Sequence, residues 1–382
     1  MGVDIFVPSL PHIVSYFHTF PSATRLTVTL YVVGYGCSQL FFGILSDAFG
    51  RRNLLILSLI GFVVTGLVAP EVKQISTLVT LRFFQGIFAG GIGVMGRVIL
   101  TDSYTGHTLA KYAVYMTIGW AIGPIIAPYI GGYLQEYFGW KASFLFLTGY
   151  SFLVLVFVVL LLVETLENKK PLNFQRIIQD CRSIATNHGF MSASSILGLI
   201  YGIILVFNVA GPFLIQSVLH YNAIDYGRIA LVLGLCWFMG SLICRLIVTR
   251  LKMYALTELF LSLNVGIASL TVIFGFFNFL NLWTLVIPTA FIYILSAIVF
   301  SYCYWQCLSY FPQIAGTAGA AMGSIMAILG GLLSSIVSFF KIHALLPFAL
   351  AYLVLTVVLL ILYSTLAFKQ FRKSYQKMQK KD

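Results

Sequence analysis

Apolar runs of about 20 residues, each long enough to cross the ~30 Å hydrocarbon core of a bilayer as a helix, follow one another along most of the chain. We predict twelve such spans, near residues 1–17, 24–46, 53–70, 76–101, 111–134, 141–163, 190–216, 226–249, 254–277, 282–308, 316–340 and 343–367. The sequence therefore predicts an all-α integral membrane protein.

The charge content of the chain excludes a water-soluble globular fold. Hydrophobic residues make up 60% of the 382 residues and charged residues only 9%, whereas a soluble domain carries about 25% charged residues. The net charge of +12 would suit a nucleic-acid partner, but the positive residues lie in short segments between the apolar runs. This distribution is typical of membrane insertion, so we expect a lipid bilayer and no nucleic acid as partner.

The positive residues also predict the orientation of the chain. With the N-terminus inside, the cytoplasmic side collects the basic residues of the tail together with Arg51, Arg52, Lys111, Lys169, Lys170, Arg176, Arg182, Arg250 and Lys252. The opposite side holds Arg25, Lys73, Lys141, Arg228 and Lys341. Both termini are therefore expected in the cytoplasm.

Six spans, a charged segment and six more spans are the layout of a duplicated transporter, whose substrate path runs between the halves. We predict an N-terminal six-helix bundle over 1–163, a cytoplasmic linker over 164–189, a C-terminal six-helix bundle over 190–367 and a basic cytoplasmic tail over 368–382. Within the linker, LNFQRIIQD could form an amphipathic helix on the membrane surface or a solvated connector.

No motif of a metal site or of an enzyme stands out. The six cysteines have no CxxC spacing, and no histidine lies near Cys303 and Cys307, which share a helix face. The histidines are scattered singly, at His12, His18, His107, His188, His220 and His343. An enzyme would need convergent polar groups, so we expect no cofactor, no metal and no enzymatic activity.

The first span contains a carboxylate, Asp4, in the string DIFVPSLP. A buried carboxyl group holds its proton more tightly and a nearby arginine opposes this, so Asp4 could exchange a proton for substrate within the N-terminal bundle. It could instead cap a helix at the membrane surface. Residues 1–17 would rise only about 25 Å as a helix, and we therefore expect the natural chain to begin upstream of Met1.

The segment after the second span reads GILSDAFGRR. Gly43 permits close helix approach and Gly50 permits a tight turn, while Asp47, Arg51 and Arg52 can form a charge cluster at the membrane surface. An ordinary positive-inside loop would not need this combined spacing.

The fourth span, LRFFQGIFAGGIGVMGRVILTD, contains Arg82 and Arg97. An arginine in hydrocarbon costs about 2.5–3.5 kcal/mol, so each should face a cavity or a partner. They lie roughly 22 Å apart along one helix, too far for one acidic residue to serve both. The glycines between Gly86 and Gly96 would let a neighbouring helix or a substrate approach the backbone.

The fifth span, GWAIGPIIAPYIGG, is rich in glycine and proline, with Gly119, Gly123, Pro124, Pro128, Gly131 and Gly132. An interior proline costs a soluble helix about 3 kcal/mol, but neighbouring helices can satisfy the freed backbone groups in a membrane bundle. This pattern indicates a kinked, closely packed helix that bends or seals a path, or else a static packing kink.

The second half of the chain has little charge within its spans. Asn208, Gln216 and Gln306 could offer hydrogen bonds to a substrate, although lone amides more often bridge helices.

These motifs resemble those of a known transporter family. GILSDAFGRR resembles the signature between spans two and three of the major facilitator superfamily, LRFFQG its fourth-span signature, and GPIIAPYIGG the fifth-span motif of its drug–proton antiporters. DIFVPSLP, RVILTDSY, FGWKASFLF and PQIAGTAGA are similar to the Bcr/CflA-type subfamily of bacterial drug-efflux transporters. The resemblance covers essentially the whole chain.

The resemblance implies roles for particular residues. Asp4 and Arg82 would couple proton and substrate movement. Asp47 and Arg51 would latch one conformation with Asp102 as partner, and we group Gly43, Gly50, Arg52 and Arg97 with this gate. Gly123, Pro124 and Gly132 match the antiporter motif, to which we assign Gly119, Pro128 and Gly131 as well.

We therefore predict a monomeric, proton-coupled antiporter that exports small organic molecules or drugs across the bacterial inner membrane by alternating access. One alternative is a dedicated exporter or importer of a single metabolite on the same fold. A membrane-bound enzyme or a sensor without transport activity is the more distant alternative.

Overall fold

The computed structural model describes residues 2–104, 106–166, 174–248, 251–311, 315–338 and 344–367. Every regular element within these ranges is helical. The α-helices are α1 Leu10–Tyr16, α2 Pro21–Phe49, α3 Arg51–Val68, α4 Ile75–Ser103, α5 Gly106–Phe138, α6 Trp140–Leu161, α7 Phe174–Thr186, α8 His188–Pro212, α9 Ala223–Ile247, α10 Met253–Phe276, α11 Leu282–Tyr310, α12 Ala315–Ser338 and α13 Leu345–Leu362. Helices α8 and α13 continue as π-helical turns over Phe213–Val218 and Tyr363–Ala367.

Among the described residues, ten segments are long and apolar enough to cross a membrane. They are Pro21–Ser46, Arg51–Glu71, Ile75–Ser103, Trp140–Leu161, His188–Val218, Ala223–Ile247, Met253–Phe276, Leu282–Tyr310, Gly316–Ser338 and Leu345–Leu366. Each overlaps one of the twelve predicted spans. The chain is a multi-pass helical membrane protein.

The first predicted span differs from a continuous helix over 1–17. Residues 2–6 form turns, Val7–Ser9 is a short 3₁₀ helix, and only Leu10–Tyr16 is α-helical. Pro8 and Pro11 account for this, because each lacks the N–H that an inner helical turn would bond. The carbonyl groups of Gly2, Ile5 and Pro8 accept hydrogen bonds from side chains of neighbouring helices.

Short polar or glycine signals separate the helices. Gly50 and Gly139 adopt positive φ values of 97° and 78°, which let α2 pass into α3 and α5 into α6 without a longer loop. Asn187, Asn222 and Asn281 each accept a backbone N–H at the start of α8, α9 and α11. The glycines thus allow tight turns between helices, and the asparagines accept backbone N–H groups that have no partner within the first turn of their helices.

The N-terminal helices pack closely through small residues. Helix α4 lies along α2, and a Cβ atom at Gly86 would collide with the carbonyl group of Tyr31. Across the two halves of the chain, α2 packs along α12 and α5 along α9. The contact between α4 and α2 at Gly86 is the close backbone approach that the glycine run of the fourth span predicts.

Helix α7 occupies most of the described part of the predicted linker. It packs against α8 and α12; Ile184 is buried, whereas Ile178 is exposed. The described part of the linker is thus largely helical, while the first two residues of LNFQRIIQD lie outside the described residues and the position of this helix on the membrane surface stays a prediction.

Replacing Gly86 by alanine should destabilise the protein. The added methyl group meets backbone rather than a movable side chain, so α4 must shift from α2 at a cost of about 1–3 kcal/mol. Gly96→Ala is the matched control, since nothing lies within 4 Å of its Cβ position. Thermal unfolding of the purified protein in detergent should show a lower Tm for Gly86→Ala alone. An equal Tm for both variants would contradict the packing described here.

Candidate functional site

Arg82 on α4 is completely buried and holds the N-terminal segment in place. Its guanidinium group donates to the carbonyl oxygen of Gly2 at 2.9 Å, to Oε1 of Gln85 at 2.6 Å and to the carbonyl oxygen of Thr27 at 3.4 Å. Three acceptors from three parts of the chain compensate much of the cost of desolvating this charge. The prediction that Arg82 faces a partner is confirmed, and its partners are two backbone carbonyl oxygens and one side-chain amide oxygen.

Aromatic rings complete the surroundings of Arg82. Its guanidinium carbon lies 4.2 Å from the ring centroid of Tyr31 and 5.0 Å from that of Phe6. Such cation–π contacts are stronger where water is excluded. The arginine is therefore positioned by α2 and by the N-terminal segment together.

Asp4 connects the two halves of the chain. Nδ2 of Asn208, on α8, donates to Oδ1 of Asp4 at 3.4 Å. Four residues further along the segment, Nε2 of Gln216 donates to the carbonyl oxygen of Pro8 at 2.9 Å. Asn208 and Gln216 thus bridge helices, which is the more common of the two roles considered for them from the sequence.

The same segment is anchored to the first half of the chain. Ser143 of α6 donates to the carbonyl oxygen of Ile5 at 3.2 Å. Asp4 and Arg82 therefore lie in one region, since Arg82 holds the carbonyl group two residues before Asp4. The structure brings together a carboxylate, a buried cation and a bridge between the two halves, while the coupling role of Asp4 and Arg82 stays a prediction.

A second polar cluster surrounds Arg51 at the beginning of α3. Nε of Arg51 donates to Oδ2 of Asp102 at 2.9 Å, and its Nη1 contacts the hydroxyl group of Ser46. Only 8% of the Arg51 side chain and 25% of the Asp102 side chain are exposed. The predicted pair is present and joins the ends of α2, α3 and α4; the side chain of Asp47 lies outside the described part of the structure.

Glu164, which sequence reasoning assigned only to the linker, belongs to this cluster. Its carboxylate accepts the backbone N–H groups of Arg51 at 3.0 Å and Arg52 at 3.3 Å, and also those of Thr165 and Leu166. Burial raises the pKa of Glu164, but the four backbone N–H bonds outweigh burial and leave the pKa below its ordinary value. The sequence offered one signal for this role: Glu164 is an acidic residue directly after a predicted span, on the same side of the membrane as the basic residues Arg51 and Arg52.

Arg52 and Gly50 tie the same cluster to α6. Nη2 of Arg52 donates to the carbonyl oxygen of Val159 at 2.8 Å. A Cβ atom at Gly50 would overlap the carboxylate of Glu164, and the positive φ of Gly50 also favours glycine there. We call the end of the molecule that holds Arg51, Asp102 and Glu164 the Arg51 end.

The other predicted gating residues lie along α2 and α4, away from this cluster. Gly43 of α2 faces Ala320 of α12, whose Cβ lies 3.8 Å from the Cβ position of Gly43. Nη2 of Arg97 donates to Oε1 of Gln39 at 2.6 Å. Arg97 is thus joined to α2.

The glycine- and proline-rich stretch of α5 packs on two sides. Gly131 faces the carbonyl group of Ile5, and Gly132 faces the carbonyl group of Ala223 on α9. Gly227 of α9 in turn packs against α5, and its Cβ position lies 2.8 Å from the carbonyl oxygen of Pro128. This end of α5 is sandwiched between the Asp4 segment and the second half of the chain.

The remaining residues of that motif have different environments. Gly123 is buried, Pro124 is exposed, and nothing lies within 4 Å of the Cβ position of Gly119. The antiporter-motif assignment of these residues stays a prediction.

Hydroxyl groups also pair across the two halves. Oγ1 of Thr29 on α2 and Oγ of Ser334 on α12 are 2.9 Å apart and both are buried. Gly36 and Gly331 bring the same two helices together against Ala327 and Val33. The contact between α2 and α12 is therefore lined by small side chains over several turns.

Replacing Glu164 by glutamine should lower the stability of the protein at neutral pH. Glutamine accepts the four N–H groups less strongly, and loss of a helix N-terminal acceptor costs about 0.5–2 kcal/mol. Because the pKa of Glu164 is lower in the folded protein than its ordinary value of 4.5, the stabilisation is complete above that pH and is lost as pH falls through the folded-state pKa.

The Tm difference between wild type and Glu164→Gln should therefore narrow as the pH is lowered past about 4.5. Glu71→Gln, at an exposed position, is the control and should leave Tm unchanged. A Tm difference that stays constant down to pH 3.5 would assign the effect to packing instead of charge.

The sequence of the chain is similar to sequences of known transport and resistance proteins. The family model for the Major Facilitator Superfamily matches residues 1–338. A bicyclomycin resistance protein homolog of Haemophilus influenzae is 26% identical over 351 residues, which are 91% of this chain and 87% of that protein. Multidrug resistance protein D of Escherichia coli is 26% identical over 340 residues, covering 88% and 84% of the two chains.

Solved structures with the same fold include two transporters. The crystal structure of a D-xylose–proton symporter matches with a TM-score of 0.71 at 15% identity and covers 96% of this chain and 94% of that one. A bacterial homolog of the human lysosomal transporter Spinster, inward-facing and unoccupied, matches with a TM-score of 0.70 at 15% identity, covering 97% and 94%. At these identities the likeness concerns the fold alone.

Proposed function

The chain belongs to the Major Facilitator Superfamily, and from this premise we propose that it is a proton-coupled antiporter that exports small organic molecules across the bacterial inner membrane. It is a transporter, and relatives over most of its length are named for resistance to bicyclomycin and to several drugs. The observation that carries the coupling part is the position of Asp4, an interior carboxylate that bridges the two halves of the chain.

The proposed architecture is a pair of six-helix bundles that rock against each other. The first comprises residues 1–163 and the second residues 190–367, joined by a cytoplasmic linker over 164–189 and followed by a basic tail. The close α2–α12 and α5–α9 contacts support this division, since both pairs take one helix from each half. The Arg51 end is cytoplasmic in this proposal because the basic residues gather on its side.

In the proposed cycle, a proton enters on the carboxylate of Asp4 while the substrate leaves outward. A protonated Asp4 carries no charge, so it accepts the amide hydrogen of Asn208 less strongly and loses its attraction to Arg82. This uptake takes place in the outward-open state, and the neutral Asp4 lets the N-terminal segment approach α8 again, so that the protonated protein returns to the state closed on the outside. Release of the proton to the cytoplasm restores the bridge.

The contacts opposite the Arg51 end support a state closed on the outside. Arg25 of α2 lies 4.6 Å from the ring centroid of Phe213, and Gln216 holds Pro8. Both contacts join the first half of the chain to the π-helical end of α8. In the proposed cycle these contacts break when the outer side opens, while the Arg51–Asp102 pair and Glu164 keep the N-terminal bundle rigid.

Replacing Asp4 by asparagine should abolish gradient-driven export. Asparagine can keep the contact with Asn208 but cannot carry a proton. Flux of ethidium or chloramphenicol in proteoliposomes, measured with an internal pH dye, should fall to the level of protein-free liposomes, with the proton movement lost in parallel. Asp225→Asn, at the outer end of α9, is the control and should transport as wild type does. Substrate flux that ignores the pH gradient and survives Asp4→Asn would contradict the proton mechanism.

A cross-link between α2 and α12 should stop transport. The hydroxyl oxygens of Thr29 and Ser334 are 2.9 Å apart, so cysteines at the two positions should form a disulfide on mild oxidation. If rocking moves these helices apart, the oxidised double variant is inactive and regains flux when reduced. The single variants Thr29→Cys and Ser334→Cys should stay active under oxidation. Full activity of the cross-linked protein would exclude motion at this pair.

A further inference from the structure

Arg97 is a membrane-embedded cation that the proposed proton cycle does not use. It lies on α4 towards the Arg51 end, about 22 Å from Arg82 along the helix. An arginine at such a depth is costly and marks a functional site by default. Its neighbours suggest what it binds.

A buried amide lies directly beside this cation. Nη2 of Arg97 donates to Oε1 of Gln39 at 2.6 Å, and Gln39 is completely buried. Its Nε2 group has no hydrogen-bond partner among the described residues. Because Oε1 is engaged by the guanidinium group, the amide offers a donor, and an unmet buried donor costs about 1–3 kcal/mol. A ligand with an acceptor oxygen would remove that cost.

Phenol groups lie close to this cation and amide. Tyr35 lies one turn before Gln39 on α2, and its hydroxyl oxygen is 3.1 Å from the Cβ position of Gly93, one turn before Arg97. The phenol of Tyr304, on α11, lies within electrostatic range of Arg97. Arg97 itself is only partly buried. Guanidinium, amide and phenol donors thus gather at a position that a ligand can reach through Arg97.

We propose that Arg97, Gln39 and Tyr35 form a binding site for an acidic group of the transported molecule, of the class of an organic carboxylate. The proposal rests on the proposed transport function and assigns part of its substrate range. Guanidinium and amide N–H groups match the two oxygens of a carboxylate, and the charge of Arg97 makes those bonds stronger than neutral ones.

The site also contacts the moving interface. The Gln39 side chain lies against Gly323 of α12, where a Cβ atom would overlap the amide group. A carboxylate that binds both Arg97 and the Nε2 group of Gln39 moves the Gln39 amide from its present position and therefore changes the contact between α2 and α12. Recognition of the acid would in this way favour one arrangement of the two halves.

The test is equilibrium binding to the purified full chain in detergent, with no proton gradient. The probes are dansylglycine, a fluorescent carboxylate, and dansylglycinamide, its neutral counterpart of nearly the same size. Wild type should bind the acid at least about tenfold more tightly than the amide, the ratio that a charge-assisted hydrogen bond supplies. Arg97→Gln should remove this preference and leave binding of the amide within a factor of about two.

Two further variants sharpen the result. Gln39→Glu places a negative charge beside the bound acid and should weaken acid binding more than amide binding. Arg245→Gln, at an exposed arginine in the last turn of α9, is the matched control and should keep the preference. Retained amide binding and a monodisperse elution profile show that each variant is folded.

Equal affinity of wild type for the two probes, or a preference that survives Arg97→Gln, would overturn the proposal. So would the absence of dansylglycine binding at millimolar concentration. The binding experiment does not depend on proton coupling. Loss of gradient-driven flux in a protein that still prefers the acid would contradict the antiport proposal but not this binding site. Normal chloramphenicol antiport by a protein with no preference for the acid would contradict this binding site but not the antiport proposal.

Discussion

An arginine that is completely buried in a membrane protein must find its acceptors within the protein, and Arg82 imposes that requirement on its whole neighbourhood. Water is not available to solvate it, and the cost of an unmet charge there is several kilocalories per mole. The acceptors come from an adjacent turn of its own helix, from α2 and from the backbone of the N-terminal segment. Proline makes this possible, because the segment around Pro8 and Pro11 is not a regular helix and its carbonyl groups can turn towards side chains.

This arrangement also decides where Asp4 lies. Once the carbonyl group of Gly2 is held by Arg82 and that of Ile5 by Ser143, the side chain between them has little freedom, and it meets Asn208 of the second half. A change in the charge of one carboxylate is then felt by a buried cation and by a helix of the other half. A site on a flexible side chain at the membrane surface would lack both connections.

The sequence predicted the elements that depend on local chemistry. Hydropathy found the ten membrane-spanning segments of the described residues because a helix must satisfy its own backbone in lipid, and glycine at 50 marked a turn that the structure places at positive φ. The pairing of Arg51 with Asp102 followed from a family motif. The same motif did not include Glu164, since its partners are backbone amides of α3 that no residue pattern encodes.

Other features depend on which helices become neighbours, and these could not be predicted. Gln39 is an unremarkable residue in an apolar run, and only the packing of α2 between α4 and α12 places it beside Arg97 and Gly323. The irregular course of the first predicted span was not foreseen, because hydropathy locates an apolar run but does not show how Pro8 and Pro11 interrupt a helix within it. Asn208 could be listed as a bridging amide, but its partner is 204 residues away in the chain.

The interface between the two halves combines close contact with few polar bonds. Gly36, Gly132 and Gly227 let backbones touch, and tight backbone contact resists small deformations. The Thr29–Ser334 pair is a single bond between neutral hydroxyl groups, which water can replace at little net cost once a path opens. The Arg51, Asp102 and Glu164 cluster lies away from this interface, and two charged groups that do cross it are Asp4, beside Asn208, and Arg25, beside Phe213. In the second half, these two charges contact an amide and an aromatic ring. In the proposed cycle, the charge cluster therefore stiffens the first bundle, while glycine, hydroxyl and weak polar contacts line the surface along which it moves.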